Sequence, residues 1–163
     1  MKTLLLLRHA KSSWKEVQVE DHDRPLNRRG KRDAPRMGLW LSQAHLCPDV
    51  IVSSTAKRAR KTASRVAKNC HYQGIIELDG TLYLAPPEAY LAVMQRFDDH
   101  ISCALMIGHN PGLEQLLALL TGQEQQLPTA ALARVELDIS QWHEVNSQTR
   151  GSLCGLWLPA DLE

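Results

Sequence analysis

The sequence predicts an α/β protein, a three-layer sandwich with a mostly parallel central sheet flanked by helices. Two observations point there. Short apolar runs alternate along the chain with longer amphipathic ones, the pattern of strand-and-helix repeats that bury a parallel sheet on both faces. The length, 163 residues at 44% hydrophobic and 23% charged, suits a single domain over 1–163. A chain of this size buries about two thirds of the surface its unfolded form exposes.

The elements follow in order. Lys2 to Leu7 is an apolar run bounded by charge, and predicts a strand covered on both sides. Trp14 to Pro25 is polar and reads as a loop. Asn27 is placed to cap a helix running to about Ala44, with Pro35 inside it expected to kink it or mark a restart. Asp49 to Val52 predicts a second strand. Ser53, Ser54 and Thr55 then offer hydroxyls where a basic amphipathic helix can begin, ending near Asn69. Ile75 to Leu78 reads as a short strand and Pro87 to about Phe97 as a helix. Ala104 to Ile107 predicts another buried strand, ending at Gly108-His109-Asn110-Pro111, with a helix starting near Pro111. Ala133 to Ile139 and Leu153 to Leu158 predict late strands antiparallel to each other.

Composition excludes several classes of partner. The formal net charge of +1 gives no global field for nucleic acid. The basic stretch from Lys57 to Lys68 has no adjoining aromatic platform. No apolar stretch approaches the ~20 residues that span a bilayer. Leu4 to Leu7 is followed at once by Arg8 and His9, which suits a buried strand better than a signal peptide. The four cysteines (Cys47, Cys70, Cys103, Cys154) are scattered and form no CxxC pair. They read as structural buried thiols of a cytoplasmic protein.

In open parallel sheets the site lies beyond the carboxyl ends of the strands. Three predicted strand ends carry chemistry. The first ends in Arg8-His9-Ala10, the second leads into a helix whose early turn holds Arg58, and a later one ends in Gly108-His109. A neutral imidazole is a competent nucleophile toward phosphorus. Arginine stays charged and grips phosphate oxygens in pairs. Phosphoryl transfer is catalysed mostly by positioning and electrostatic stabilisation. Two arginines and a second histidine around one nucleophilic histidine supply both. Lys11 and Ser12, which follow His9, and Asn110, which follows His109, are further phosphate- or substrate-binding candidates.

These motifs resemble the histidine phosphatase superfamily. Arg8-His9-Ala10 resembles its Arg-His-Gly signature, with alanine where glycine is usual. Ser53 to Ala63 resembles its Ser-Ser-x-x-x-Arg-Ala-x-x-Thr-Ala motif, and Gly108-His109 its third. Asp21-His22-Asp23-Arg24-Pro25-Leu26-Asn27 with Gly30 is similar to the segment between its first strand and first helix. The resemblance covers nearly the whole chain and is nearest to small phosphohistidine phosphatases of the SixA type. It implies a phosphoglycerate mutase-like fold without a large lid insertion, and His9 as the nucleophile that becomes a phosphohistidine. It also implies Arg8 and Arg58 as phosphate clamps and His109 as a donor to the phosphoryl oxygens. Arg24 is either a further clamp or a loop arginine pairing with Asp21 or Asp23.

Larger superfamily members carry an acidic proton donor in the region matching Asp79 to Leu84, where this chain offers only Asp79. Asp21, on the loop expected to rim the site, is the alternative donor. An alkoxide leaving group benefits from a general acid by about 10²–10⁴-fold, whereas an already protonated phosphoimidazole leaves as neutral histidine. A missing acid therefore favours a phosphohistidine substrate. So does a short chain, which leaves the pocket shallow and open to a phosphorylated side chain presented by a phosphorelay or phosphotransfer domain. The chain is expected to need no metal or cofactor and to work as a monomer. The alternatives are a phosphatase for small phosphomonoesters, a phosphate-recognition module without turnover, and a metal-dependent hydrolase built on His9, Asp21, His22, Asp23 and His109. The arginines beside those residues would repel a cation.

Overall fold

The structure, a computed structural model, describes residues 1–162. Its centre is a six-stranded sheet of β1 (Lys2–Arg8), β2 (Val50–Ser53), β3 (Glu77–Leu78), β4 (Cys103–Gly108), β5 (Leu132–Leu137) and β6 (Gly151–Trp157) in the order β3-β2-β4-β1-β5-β6. Strands β3, β2, β4 and β1 pair in parallel; β5 runs antiparallel to both its neighbours. The helices are α1 (Arg28–Gln43), α2 (Lys57–Asn69), α3 (Pro87–Met94) and α4 (Gly112–Thr121).

The leucine run of β1 is explained by its neighbours on both sides. Side chains alternate across a strand, so Leu5 and Leu7 join the core that includes α1 and α2, while Leu4 and Leu6 join the core that includes α3 and α4. All four leucines are fully buried. Truncating any of them to alanine costs about 2–5 kcal/mol. A strand with one face in water would have alternated apolar with polar.

Asn27 caps α1 as its sequence predicts, its side chain accepting from the Gly30 amide at 2.9 Å. Gly30 has a second reason to be glycine: a Cβ there would collide with the Lys11 carbonyl, so the close approach of α1 to the loop after β1 excludes any larger residue.

Several boundaries differ from the sequence-based expectation. Helix α1 runs through Pro35 without a restart, because one missing amide is tolerated where Ala34 and Met37 are fully buried against the sheet. Helix α2 starts at Lys57, after the hydroxyl run, with no side-chain cap. Strand β3 shrinks to two exposed residues, and α3 stops at Met94. The reading of all four cysteines as buried also fails. Cys47 and Cys154 are exposed, and Cys47 lies 3.4 Å from the buried Cys70 thiol. Their distance in sequence hid that contact. Among the described residues no helix is long and apolar enough to cross a membrane.

Candidate active site

Parallel pairing of β1 with β4 sets Arg8 opposite Gly108. His9 and His109, one residue further along each strand, therefore emerge side by side, with ring centroids 5.2 Å apart. The His9 amide extends the ladder by donating to the Gly108 carbonyl at 3.1 Å. Strand β2, on the far side of β4, delivers Ser53 and Ser54 to the same end, and the first turn of α2 adds Arg58. Nine of the residues named from the sequence line one cleft of about 250 Å³: Arg8, His9, Lys11, Ser12, Asp21, Arg24, Arg58, His109 and Asn110; Asp79, His22 and Asp23 do not line it. Trp14, Leu84 and Thr129 complete its wall.

His9 is buried, and its Nδ1 lies 2.8 Å from the Ala10 carbonyl oxygen. A carbonyl only accepts, so Nδ1 carries the hydrogen and the lone pair of the neutral ring is on Nε2. Burial is the main force on this imidazole. Opposed by the Ala10 carbonyl and reinforced by His109, Arg58 and Arg8, it pushes the pKa down to about 3. His9 is therefore neutral and nucleophilic near pH 7.

Ala10 itself is fully buried, and its backbone is not among the left-handed residues. Alanine in place of glycine thus costs nothing in conformation here. Its amide donates to Thr62 Oγ1 at 2.9 Å, while the Thr62 hydroxyl donates to the Arg58 carbonyl at 2.7 Å. Thr62 ties the strand end that carries His9 to the helix that carries Arg58.

His109 Nε2 lies 2.8 Å from Ser54 Oγ. That hydroxyl already accepts from the Ala56 amide at 3.2 Å. Its own hydrogen has one acceptor within reach among the described residues, His109 Nε2. The accounting places the imidazole hydrogen on Nδ1, which is buried and has no partner among the described residues. Burial first, then Arg58, lowers the His109 pKa to about 4 against the opposing charge of Asp21. A neutral ring with its Nδ1–H beside His9 can donate to an anion placed in the cleft.

Arg8 donates through Nη1 to the Leu127 carbonyl at 3.1 Å, and the buried Nε of both Arg8 and Arg58 have no partner among the described residues. Arg24 is buried and donates to Ser12 Oγ at 2.7 Å and Asp21 Oδ1 at 3.1 Å. Arg24 pairs with Asp21, as the loop-arginine reading expects, and its side chain also lines the cleft. Asn110 is held by its Nδ2 on the Leu127 carbonyl at 2.9 Å, and its buried Oδ1 has no partner among the described residues.

Asp21 is placed differently from a proton donor. Its Oδ2 accepts from Arg58 Nη2 at 2.9 Å and from the Tyr83 hydroxyl, and its carbonyl accepts from Arg58 Nη1 at 2.6 Å. Burial alone would raise its pKa, but the bonds from Tyr83, Arg58 and Arg24 outweigh burial and hold the carboxyl far below the usual range. Asp21 is an ionised anchor for two guanidinium groups. Asp79 is also spent. It caps the turn at Gly80–Leu82, bonding the Thr81 amide at 2.9 Å, and pairs with Arg96 at 3.0 Å. The Thr81 hydroxyl is the main cause of its lowered pKa.

Sequence reasoning missed Ser54, Thr62 and Tyr83 as contributors. The first two lie inside the quoted motif and carried a signal; Tyr83 carried none. No group of three or more His, Cys, Asp and Glu side chains among the described residues is placed to hold a metal ion. His22, one of the suggested ligands, instead meets Thr55 Oγ1 at 2.9 Å.

The fold and the cleft define an α/β protein whose sheet ends in a cleft lined by two histidines and three arginines. A family model described as histidine phosphatase superfamily (branch 1) matches residues 4–80. An uncharacterized chloroplastic protein of Arabidopsis thaliana is 31% identical over 154 residues, 86% of this chain and 69% of the relative. A candidate phosphohistidine phosphatase SixA of Agrobacterium tumefaciens superposes with a TM-score of 0.82 at 28% identity, over 97% of this chain and 98% of that one. The protein histidine phosphatase SixA complexed with tungstate gives 0.85 at 22% identity, over 99% of each chain, and so shares the fold. The chain belongs to the histidine phosphatase superfamily.

Proposed function

We propose that the chain is a phosphohistidine phosphatase that removes the phosphoryl group from a histidine on another protein, through a covalent intermediate on His9. The observation that carries the reading is the His9 tautomer. With Nδ1–H donated to the Ala10 carbonyl, Nε2 is left as the nucleophile in a cleft that also holds Arg8, Arg24, Arg58 and His109.

In the first step Nε2 of His9 attacks phosphorus, forming an N–P bond as the N–P bond of the substrate breaks. The substrate imidazole, protonated on its other nitrogen, keeps the electron pair of the broken bond and departs neutral. In the second, a water oxygen attacks the phosphorus of phospho-His9 as the Nε2–P bond breaks; Nε2 takes back the electron pair, the water's proton passes to solvent or phosphate, and inorganic phosphate leaves. The guanidinium groups of Arg8, Arg24 and Arg58 hold the equatorial oxygens, and Nδ1–H of His109 donates to them.

Substrate choice rests on what the cleft provides. Asp21 and Asp79 are both held ionised, so neither is a ready acid for an alkoxide, while a phosphoramidate needs none. The cleft of about 250 Å³ is small beside the roughly 300–1,000 Å³ of sites that enclose a whole metabolite. Similarity to the SixA structures supports the same substrate class.

The test is to trap the phosphoenzyme under alkaline conditions from a labelled phosphohistidine protein and map the modified residue. Label on His9, absent in His9→Ala, is the expected result. Near-normal turnover by His9→Ala overturns the mechanism. Small phosphate esters preferred by orders of magnitude overturn the substrate.

A further inference from the structure

Two apolar side chains stand exposed on the wall of the cleft, and the chemistry above uses neither. Trp14 is 70% exposed and Leu84 56% exposed, and both line the cleft. Exposed apolar residues are ordinary when scattered, but these two flank one site and are held in place by it. The Trp14 ring lies 3.5 Å from the guanidinium carbon of Arg24, which also donates to Ser12, the Ser13 carbonyl and Asp21. Leu84 sits at φ 49°, left-handed backbone that a leucine seldom adopts. The preceding residue, Tyr83, is fixed by its hydroxyl on the same Asp21. A single carboxylate therefore braces both flanks.

Strain of this kind collects where a side chain must be presented in one direction. Tryptophan is enriched among residues that dominate protein interfaces. A small phosphorylated metabolite would be held inside the cleft and would gain little from side chains that face solvent. A folded partner would reach them as soon as its phosphorylated residue entered.

We propose that Trp14 and Leu84 form the docking rim for the phosphorylated protein, packing on apolar side chains around its phosphohistidine while the four cations of the cleft (Arg8, Lys11, Arg24, Arg58) take the phosphoryl group. The inference rests on the function proposed above and adds where the partner sits. Specificity then divides: the charged floor selects phosphate, and the apolar rim selects the surface that presents it.

The variant Leu84→Asn tests it, because asparagine accepts left-handed backbone and removes the apolar surface. Trp14→Phe is the companion, since it keeps a ring over Arg24 while shrinking the exposed face. Turnover is measured on a phosphotransfer domain phosphorylated on histidine and on phosphoimidazole. The expected result for Leu84→Asn is about a tenfold or greater fall in kcat/KM on the protein, mostly through KM, consistent with truncating an interface anchor. Its phosphoimidazole turnover should stay within about twofold. Trp14→Phe should show the same selectivity with a smaller fall. Equal losses on both substrates, or no loss on the protein, overturn the rim. A wild-type enzyme that hydrolyses phosphoimidazole and ignores every phosphoprotein overturns the proposed function, and the rim with it.

Discussion

Ser54 fixes the tautomer of His109. The 2.8 Å contact between Ser54 Oγ and Nε2 is the imidazole's one hydrogen bond through a ring nitrogen among the described residues. In Ser54→Ala the ring is free to carry its hydrogen on either nitrogen and to rotate. The expected effect is a fall in kcat on the order of 10- to 100-fold with KM little changed, short of the roughly 10²–10³ cost of deleting a charge-stabilising donor outright. Ser54→Thr keeps a hydroxyl and should retain most of the rate. Nitrogen NMR of the His109 ring provides the direct check, and an unchanged tautomer in Ser54→Ala would refute the assignment.

Asp21→Asn separates anchor from acid. It removes the charge that holds Arg58 and Arg24 but keeps a side chain of similar size. As an anchor, Asp21 should lower kcat/KM by about 10- to 100-fold on substitution, with the basic limb of the pH profile unmoved. A proton donor would instead take that limb with it when replaced. The pH dependence of kcat/KM for the two proteins decides.

Acid should destabilise the fold through the two histidines. Their pKa values in the folded protein are about 3 and about 4, against 6.5 for an unperturbed imidazole. Below 6.5 the unfolded chain binds protons that the folded chain refuses, so the equilibrium moves toward unfolding. The contribution is full above 6.5 and is lost as pH falls through the folded values. Denaturant unfolding at pH 7.5 and pH 5 should show this slope. The doubly substituted His9→Phe, His109→Phe protein should show less of it, and an undiminished slope would assign the effect elsewhere.

Thr62→Val should cost stability as well as rate. It leaves the buried Ala10 amide without its acceptor, a penalty of about 1–3 kcal/mol. It also releases the link between the loop that follows His9 and the first turn of α2. Denaturation midpoints for Thr62→Val and Thr62→Ser measure it, with serine expected to recover most of the loss.

Arg58→Ala should slow turnover by roughly 10²–10³, the usual range for losing one stabilising donor. Single-turnover kinetics on phosphohistidine substrate test this. A rate within a few-fold of wild type would remove Arg58 from the clamp.

The sheet and the positions of Arg8, His9, Arg58 and His109 were legible in the sequence for one physical reason. Each follows a buried apolar run, and parallel strands gather their carboxyl ends. The tasks of Asp21, Tyr83, Ser54 and Thr62 were not legible, because each depends on hydrogen bonds between residues far apart in the chain. Asp21 is the instructive case. On a polar loop it reads as a free acid, and only the approach of Arg58 and Tyr83 makes it a fixed anion. Pro35 taught the opposite lesson, since burial of its helix outweighs a local preference to break.

The pairing of Arg8 with Gly108 closes the two central strands of the sheet at their carboxyl ends, and the leucines just before it are covered on both faces. Backbone amides of that buried run belong to the part of the domain that opens last. The gap between the two imidazoles is thereby as durable as the fold, while loops above it are free to drift, lengthen or change their chemistry. Such a division lets one site be re-aimed at new substrates by editing the perimeter alone.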